Sequence, residues 1–132
     1  MNKRRVVITG LGVLSPNGNT TSEYWDSISK GKSGIGYITK FDAQNLSVKI
    51  AGELSGFNAE DFFDRKDIKR LDPFTIYSIV TTEEALKQSN LDNSNLNMER
   101  VGVIYGTGVG GIQTLEEQHG IYSNRGQRRV SP

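Results

Sequence analysis

The chain has 132 residues, enough for one ordinary domain. Its 16 Lys and Arg against 15 Asp and Glu leave a formal charge of +1, which excludes the strong overall positive charge typical of nucleic-acid-binding proteins. Cysteine is absent from the sequence, so this chain can build no disulfide, no thiolate metal site and no thiol nucleophile.

The apolar start of the chain superficially resembles a targeting signal. A basic beginning at residues 1–5 precedes an apolar run at residues 6–14, but the run contains two Gly and a Thr and lacks a small-residue cleavage pattern. A buried strand explains it better, and nothing else approaches the roughly 20 apolar residues that a membrane span needs. We therefore expect a soluble, cytoplasmic protein whose partners include neither membrane nor nucleic acid.

The first half of the chain predicts a strand, a helix and a loop-rich connection. Residues 4–13 are apolar without alternation and rich in β-branched side chains, which indicates a strand covered on both faces. After a turn, the tetrad at residues 20–23 has the spacing of a capping box, and the helix it opens should end near Gly31. A glycine-rich loop at residues 31–36 and an extended stretch at residues 48–54 follow.

Helix start signals dominate the middle of the chain. Asn58 can cap a brief helix, and Asp72 followed by Pro73 supplies an N-cap and a first helical position. The longer helix that begins there should run to about Asn90. Its predicted buried stripe consists of Ile76, Ile79, Val80 and Leu86.

The last part predicts a second buried strand and a further helix. A polar loop at residues 89–97 leads into an apolar strand at residues 100–105, a glycine cluster at 106–111 and a helix at about 112–124. Two apolar strands separated by helices imply a parallel, helix-covered α/β sheet. Since two strands cannot complete such a sheet, we expect its other strands elsewhere, most simply downstream of Pro132.

The glycine cluster satisfies the pattern G-x-G-x-x-G at Gly106, Gly108 and Gly111, between a predicted strand and a predicted helix, as a dinucleotide fingerprint would. That fingerprint also expects an acidic residue about 20 positions on, and residues 126–131 offer none. The alternative is that these glycines permit a tight turn or a close approach to a ligand or a neighbouring subunit.

Charged side chains provide few candidates for chemistry. His119 is the one histidine and follows two glutamates, which indicates a hydrated surface cluster, and we assign it neither a catalytic nor a metal-binding role. Lys66, Lys69 and Arg70 can share one face of a helical turn that suits an acidic helix or a phosphate. The full basic clusters are Arg65, Lys66, Lys69 and Arg70, then Arg125, Arg128 and Arg129.

Several stretches in a fixed order resemble one family. They are residues 4–19, Phe41 with Asp42, residues 65–72, residues 105–111 and the closing residues 128–132. Together they are similar to the β-ketoacyl-acyl carrier protein synthases, specifically the type II elongating enzymes of bacterial fatty acid synthesis. The resemblance covers nearly all of this chain but about the first third of a family member. We therefore expect residues 1–132 to be an amino-terminal part of the synthase N-terminal domain, incomplete at its carboxyl end.

The resemblance implies a fold and a reaction. The fold is α/β and thiolase-like, a five-layered α-β-α-β-α sandwich usually found as a homodimer, of which this chain would hold the start of the first half. The reaction is the decarboxylative Claisen condensation of malonyl carrier protein with an acyl group on an enzyme cysteine. No cofactor is implied beyond the phosphopantetheine of acyl carrier protein, the expected partner. Because the family's cysteine and two histidines lie downstream, we expect no catalytic residue here and an inactive isolated chain.

By the same resemblance, two groups of residues have a role in recognition. Residues that match the family's docking site for its acidic carrier protein are Lys66, Lys69, Arg70, Arg128 and Arg129. Val109, flanked by Gly108 and Gly110, matches a gating position in the acyl pocket, where other members have a larger side chain.

Three alternatives stay open at this point. The chain could be a dinucleotide-binding half-domain that uses residues 106–111. It could be a short, non-enzymatic module that keeps the carrier-binding face. It could also belong to a homologue that lacks the cysteine and serves as a chain-length partner.

Overall fold

The computed structural model describes residues 4–91 and 96–131, which form two compact units. The described residues up to Asn58 and those of 79–101 make the first unit, and residues 59–78 and 102–131 make the second. The helices and strands are α1 (Thr21–Ser29), β1 (Ile35–Tyr37), β2 (Ile50–Gly52), α2 (Arg65–Ile68), α3 (Pro73–Ser89) and α4 (Ile112–Arg125). Short 3-10 turns lie at Ala59–Asp61, Met98–Arg100 and Gln127–Arg129.

In the first unit, α1 begins at the predicted capping tetrad, but the Glu23 carboxylate bonds the N–H of Asn19 rather than that of the N-cap Thr20. The Thr20 hydroxyl accepts a hydrogen bond from the Glu23 backbone N–H at 3.2 Å, and the Glu23 carboxylate accepts one from the Asn19 N–H at 2.8 Å. Side chains thus satisfy amide groups at the helix entrance. Gly31 follows the helix with a φ of +67°, which a residue without Cβ adopts at little cost, so the predicted end near Gly31 is confirmed.

An antiparallel hairpin of β1 and β2 follows α1. Its register pairs Ile35 with Gly52 and Tyr37 with Ile50. The extended stretch predicted at residues 48–54 contains β2, whereas the loop predicted at residues 31–36 overlaps β1. Strand β1 is only three residues long and has a glycine at its centre, so it offers too little alternation to be recognised from sequence.

The carboxylate of Glu53 closes this hairpin. It accepts hydrogen bonds from the Thr39 hydroxyl at 2.6 Å, from the Thr39 N–H at 3.1 Å and from the Lys40 N–H at 3.2 Å. The Thr39 hydroxyl is the main cause that holds the pKa of Glu53 below its ordinary value, and the two backbone donors act in the same direction.

Residues 10–13 lie against α3 within the first unit. A Cβ on Gly10 would overlap the backbone of Ala85, and one on Gly12 would overlap that of Thr81, so the two glycines permit this close approach. The Leu11 N–H donates to Gln88 Oε1 at 2.6 Å, and the Val13 N–H donates to Glu84 Oε2 at 2.8 Å. Side chains of α3 therefore accept hydrogen bonds from backbone N–H groups that, in a β-strand, would donate to a neighbouring strand.

The two predicted buried strands are not observed as such. Residues 4–13 and 100–105 form no strand, and their apolar side chains are exposed apart from the half-buried Val13, with Val6 at 87% and Ile104 at 99%. The hairpin of β1 and β2 is the one sheet in the part of the chain that the structure describes. Both predictions of burial are wrong for this chain because a doubly covered strand needs partner strands, and the described residues supply none for these segments.

Helix α3 begins at Pro73, as predicted, and ends at Ser89, one residue short of the predicted end. Ile76 and Val80 are buried and Ile79 is half-buried, but Leu86 is 46% exposed, so its predicted burial is wrong. Residues 81, 84, 85 and 88 share the helix face that residues 10–13 contact, and Leu86 lies off that face.

The remaining elements follow the predicted order. Helix α4 covers the helix expected at residues 112–124, and a 3-10 turn, Ala59–Asp61, follows Asn58. The loop predicted at residues 89–97 falls partly on residues 92–95, outside the described residues. None of the helices that the structure describes has the length and apolarity to cross a membrane.

Candidate functional site

The first basic segment, residues 65–70, lies on continuous helical backbone. Hydrogen bonding extends past α2, since the N–H groups of Arg70 and Leu71 donate to the Asp67 carbonyl at 2.9 and 3.0 Å. Lys66, Lys69 and Arg70 are therefore three and four positions apart on a helical turn, which places them on one face. All three side chains are exposed.

Arg65 differs from the other cations of this segment. Its guanidinium lies 3.0 Å from the Glu60 carboxylate, so an intramolecular partner offsets its charge. Within the described part of the chain, Lys66, Lys69 and Arg70 have no such ion pair. Their three charges are available to an external anion.

The second basic segment, residues 127–131, follows α4 in a 3-10 turn. Arg128 and Arg129 are exposed. Two residues further on, the Ser131 N–H donates to Gln118 Oε1 of α4 at 2.7 Å. The segment therefore folds back onto the helix from which it emerges.

Both basic segments are anchored to the same helix. The Asp72 carboxylate, two residues after Arg70, accepts a hydrogen bond from Thr114 Oγ1 in the first turn of α4. Thr114 and Gln118 are four residues apart, so the two anchors share one face of α4 and lie about 6 Å apart along its axis. Helix α4 thus holds two segments rich in exposed, positively charged side chains.

The sequence does not reveal these anchors. Asp72 is predicted as an N-cap, and its carbonyl does accept from the Thr75 N–H at 2.9 Å. Its carboxylate instead bonds α4, a contact between residues 42 positions apart. The polar residues Thr114 and Gln118 are four positions apart, but that spacing alone does not predict which residues they bond.

The glycine loop, residues 106–111, precedes α4. Gly110 has a φ of +72°, and its N–H donates to Thr107 Oγ1 at 3.1 Å. Val109 is 72% exposed, and a Cβ on Gly108 would meet nothing within 4 Å. Among the described residues, the side chain predicted to line an acyl pocket is therefore open to solvent.

The loop is poorly suited to bind a nucleotide phosphate. The segment before it is not a strand, and a Cβ on Gly111 would overlap the Asp72 carboxylate. A negative charge thus lies at the start of α4, where a dinucleotide would place its pyrophosphate.

His119 lies exposed on α4. No cluster of three or more His, Cys, Asp or Glu that could hold a metal ion occurs among the residues that the structure describes. What the two basic segments present, among the residues that the structure describes, is a set of exposed cations.

Residues 3–132 match the family described as Beta-ketoacyl synthase, N-terminal domain. The chain is 41% identical over 132 residues to a 3-oxoacyl-[acyl-carrier-protein] synthase 2 of Synechocystis sp., covering 100% of this chain and 32% of that relative. It is 46% identical over 129 residues to a protein of the same name from Staphylococcus aureus, covering 98% of this chain and 31% of the relative.

Solved structures of ketosynthases also superimpose on this chain. A chain in a structure of a type II PKS acyl-carrier protein in complex with its ketosynthase superimposes with a TM-score of 0.79 at 28% identity, covering 98% of this chain and 33% of that one. The ishigamide ketosynthase/chain length factor superimposes with a TM-score of 0.81 at 23% identity, a likeness of fold that covers 98% of this chain and 32% of that one. The thiolase-like fold class predicted from the sequence is thereby confirmed.

The chain spans about a third of the length of the curated relatives it matches. Its match to the family nevertheless runs almost from end to end of the 132 residues. The chain therefore belongs to the β-ketoacyl synthase family, within the N-terminal domain of that family.

Proposed function

We propose that this chain is the amino-terminal part of a 3-oxoacyl-[acyl-carrier-protein] synthase of fatty acid biosynthesis. The observation that carries the proposal is the match of residues 3–132 to the synthase N-terminal domain, together with 46% identity to a synthase 2 over 129 residues. An identity of that size along nearly the whole chain supports a shared reaction as well as a shared fold.

In the proposed reaction an acyl group passes from the carrier's phosphopantetheine thiol to an enzyme cysteine. Malonyl carrier protein then loses carbon dioxide, and the carbanion attacks the acyl thioester, releasing the cysteine thiolate and lengthening the chain by two carbons. The 132 residues contain no cysteine, so the nucleophile comes from outside this chain. We propose that these residues supply scaffold and recognition and that the chain by itself is inactive.

The carrier docks, in this proposal, on the two basic segments. These cations are exposed and have no ion pair among the described residues, and both segments are attached to one helix, which supports the proposal. Charges on long, flexible side chains favour a rapid, salt-sensitive encounter, which suits a carrier that must bind and dissociate in each cycle. The proposed docking residues are Lys66, Lys69, Arg70, Arg128 and Arg129.

We further propose that Val109, between Gly108 and Gly110, lines the acyl pocket. The 72% exposure of Val109 leaves it free to contact an acyl chain or the remainder of the synthase. The complete enzyme acts as a homodimer and needs no cofactor beyond the phosphopantetheine that carries its substrates.

The docking proposal is tested in the synthase polypeptide that carries these 132 residues. Lys69→Glu together with Arg70→Glu should raise the apparent KM for acyl carrier protein about tenfold at low salt, because attraction becomes repulsion. Turnover of a small acyl thioester should change little, since that substrate needs no docking surface. Steady-state kinetics with both substrates at two salt concentrations measures the difference.

A matched control reverses the same amount of charge elsewhere. Lys49→Glu with Lys87→Glu changes exposed lysines of the first unit and should leave the KM for the carrier within about twofold. If the KM for the carrier changed by the same factor in the docking and control variants, the docking assignment would be contradicted.

A further inference from the structure

Asp72 contacts both the start of α4 and the glycine loop. Its carboxylate accepts a hydrogen bond from Thr114 Oγ1, and it lies where a Cβ of Gly111 would have to be. Any larger residue at position 111 would displace this carboxylate. Glycine at that position is thus a requirement of the contact, because its φ of -82° is open to other residues.

The two ends of this contact lie within two residues of the two groups of proposed recognition residues. Asp72 follows Arg70 by two residues, and the Leu71 N–H between them is held by the Asp67 carbonyl at 3.0 Å. Gly111 directly follows Gly110. One side chain therefore joins the end of the first basic segment to the end of the glycine loop.

A hydrogen bond within the glycine loop closes the turn that carries Val109. The Gly110 N–H donates to the Thr107 hydroxyl at 3.1 Å, which fixes the turn around Val109. This turn continues directly into Gly111, against which the Asp72 carboxylate lies. A shift of the carboxylate would be passed to Val109 through Gly111 and Gly110.

We propose that Asp72 is a positioning residue that sets the place of Val109 relative to the first basic segment. Carrier docking and acyl-chain selection are then linked through one hydrogen bond and one glycine. The inference rests on the proposed function, because it needs a carrier on the basic segments and an acyl chain at Val109.

The experiment removes the hydrogen bond without touching a charged residue. The variants are made in the synthase that carries these 132 residues. Thr114→Val keeps the side-chain volume but loses the hydroxyl that donates a hydrogen bond to Asp72, whereas Thr114→Ser keeps that hydroxyl. The kcat/KM is measured with octanoyl and tetradecanoyl groups, each on carrier protein and on a small thioester.

Thr114→Val should change the ratio of kcat/KM for the long and short acyl groups about fivefold, which is about 1 kcal/mol and in the range of one hydrogen bond. Thr114→Ser should keep the ratio within about twofold of the parent. Gly111→Ala, whose Cβ would displace the same carboxylate, should also change the ratio and serves if Thr114→Val does not fold.

An equal loss of activity on both acyl groups would indicate a general effect on stability and would overturn the inference. An unchanged ratio in Thr114→Val or Gly111→Ala would do the same while leaving the proposed function intact. A parent synthase with no condensing activity on any acyl group would instead contradict the proposed function itself.

Discussion

At the scale of single residues, Glu84 of α3 connects three parts of the first unit. Its Oε2 accepts from the Val13 N–H at 2.8 Å, and its Oε1 accepts from the Thr21 N–H at 2.7 Å. Thr21 is the first residue of α1, so one carboxylate satisfies an unpaired amide and complements the positive end of that helix. No local pattern in the sequence distinguishes Glu84 from its neighbour Glu83.

Glu84→Ala should lower the free energy of unfolding by about 2 kcal/mol, because two part-buried N–H groups lose their acceptor. Glu84→Gln keeps one acceptor oxygen and should lower the free energy of unfolding by about half as much. Urea denaturation followed by circular dichroism measures both. The exposed neighbour provides the control, since Glu83→Ala removes the same carboxylate and should cost less than about 0.5 kcal/mol.

At the scale of elements, the hairpin of β1 and β2 depends on a side chain beyond its strands. Three paired residues per strand make a small ladder, to which Glu53 adds a carboxylate that accepts hydrogen bonds from three donors of Thr39 and Lys40. The carboxylate accepts these bonds best when ionised, which is why the pKa of Glu53 is lowered.

Thr39→Val should raise the pKa of Glu53 toward its ordinary value, because the largest of the lowering contacts is removed. A lowered folded-state pKa gives stability that is present above the unfolded-state pKa and is lost as the pH falls through the folded-state pKa. The variant should therefore lose less stability on acidification than the parent. An NMR titration of the Glu53 carboxyl carbon measures the shift, and Ser47→Ala, an exposed hydroxyl in the same connection, should leave it unchanged.

Helices were the elements best predicted from the sequence. The capping box at Thr20 and Glu23 and the proline at position 73 act within one turn of the chain, so their signals are local. Burial along α3 was predicted less well, because the face it presents to residues 10–13 carries Thr81, Glu84 and Gln88 rather than an apolar stripe.

At the scale of the whole molecule, two apolar segments have no strand partner among the residues that the structure describes. Ile8 is 82% exposed and Ile104 is 99% exposed, although both lie in runs typical of doubly covered strands. Segments with exposed apolar side chains and no neighbouring strand favour association between copies. The thiolase-like fold of the family contains sheets in which such runs would be covered on both faces.

Ile8→Lys with Ile104→Lys should have opposite effects in two settings. In the isolated chain the pair should reduce self-association, which light scattering measures, because it adds charge to the exposed segments. In the complete synthase it should lower the free energy of unfolding by about 3 kcal/mol or more, because the lysines then lie in a covered sheet. Asn45→Lys with Ser123→Lys, at exposed polar positions, should produce neither effect.

An isolated chain that is monomeric and unfolds in a single sharp transition would contradict this interpretation. A complete synthase that tolerates Ile8→Lys with Ile104→Lys would contradict it as well, since the two side chains would then be exposed there too.

The sequence by itself determined the family, the thiolase-like fold class, the helix boundaries and the identity of the basic residues, because these depend on local order, spacing and capping. Only the tertiary structure decided that Asp72 bonds Thr114, that Gln118 holds Ser131 and that Glu84 joins residues 13 and 21. It also decided that residues 4–9 and 100–105 are exposed here. The physical reason is that capping acts within a few residues of the chain, whereas strand burial and side-chain partners depend on segments that are distant in sequence.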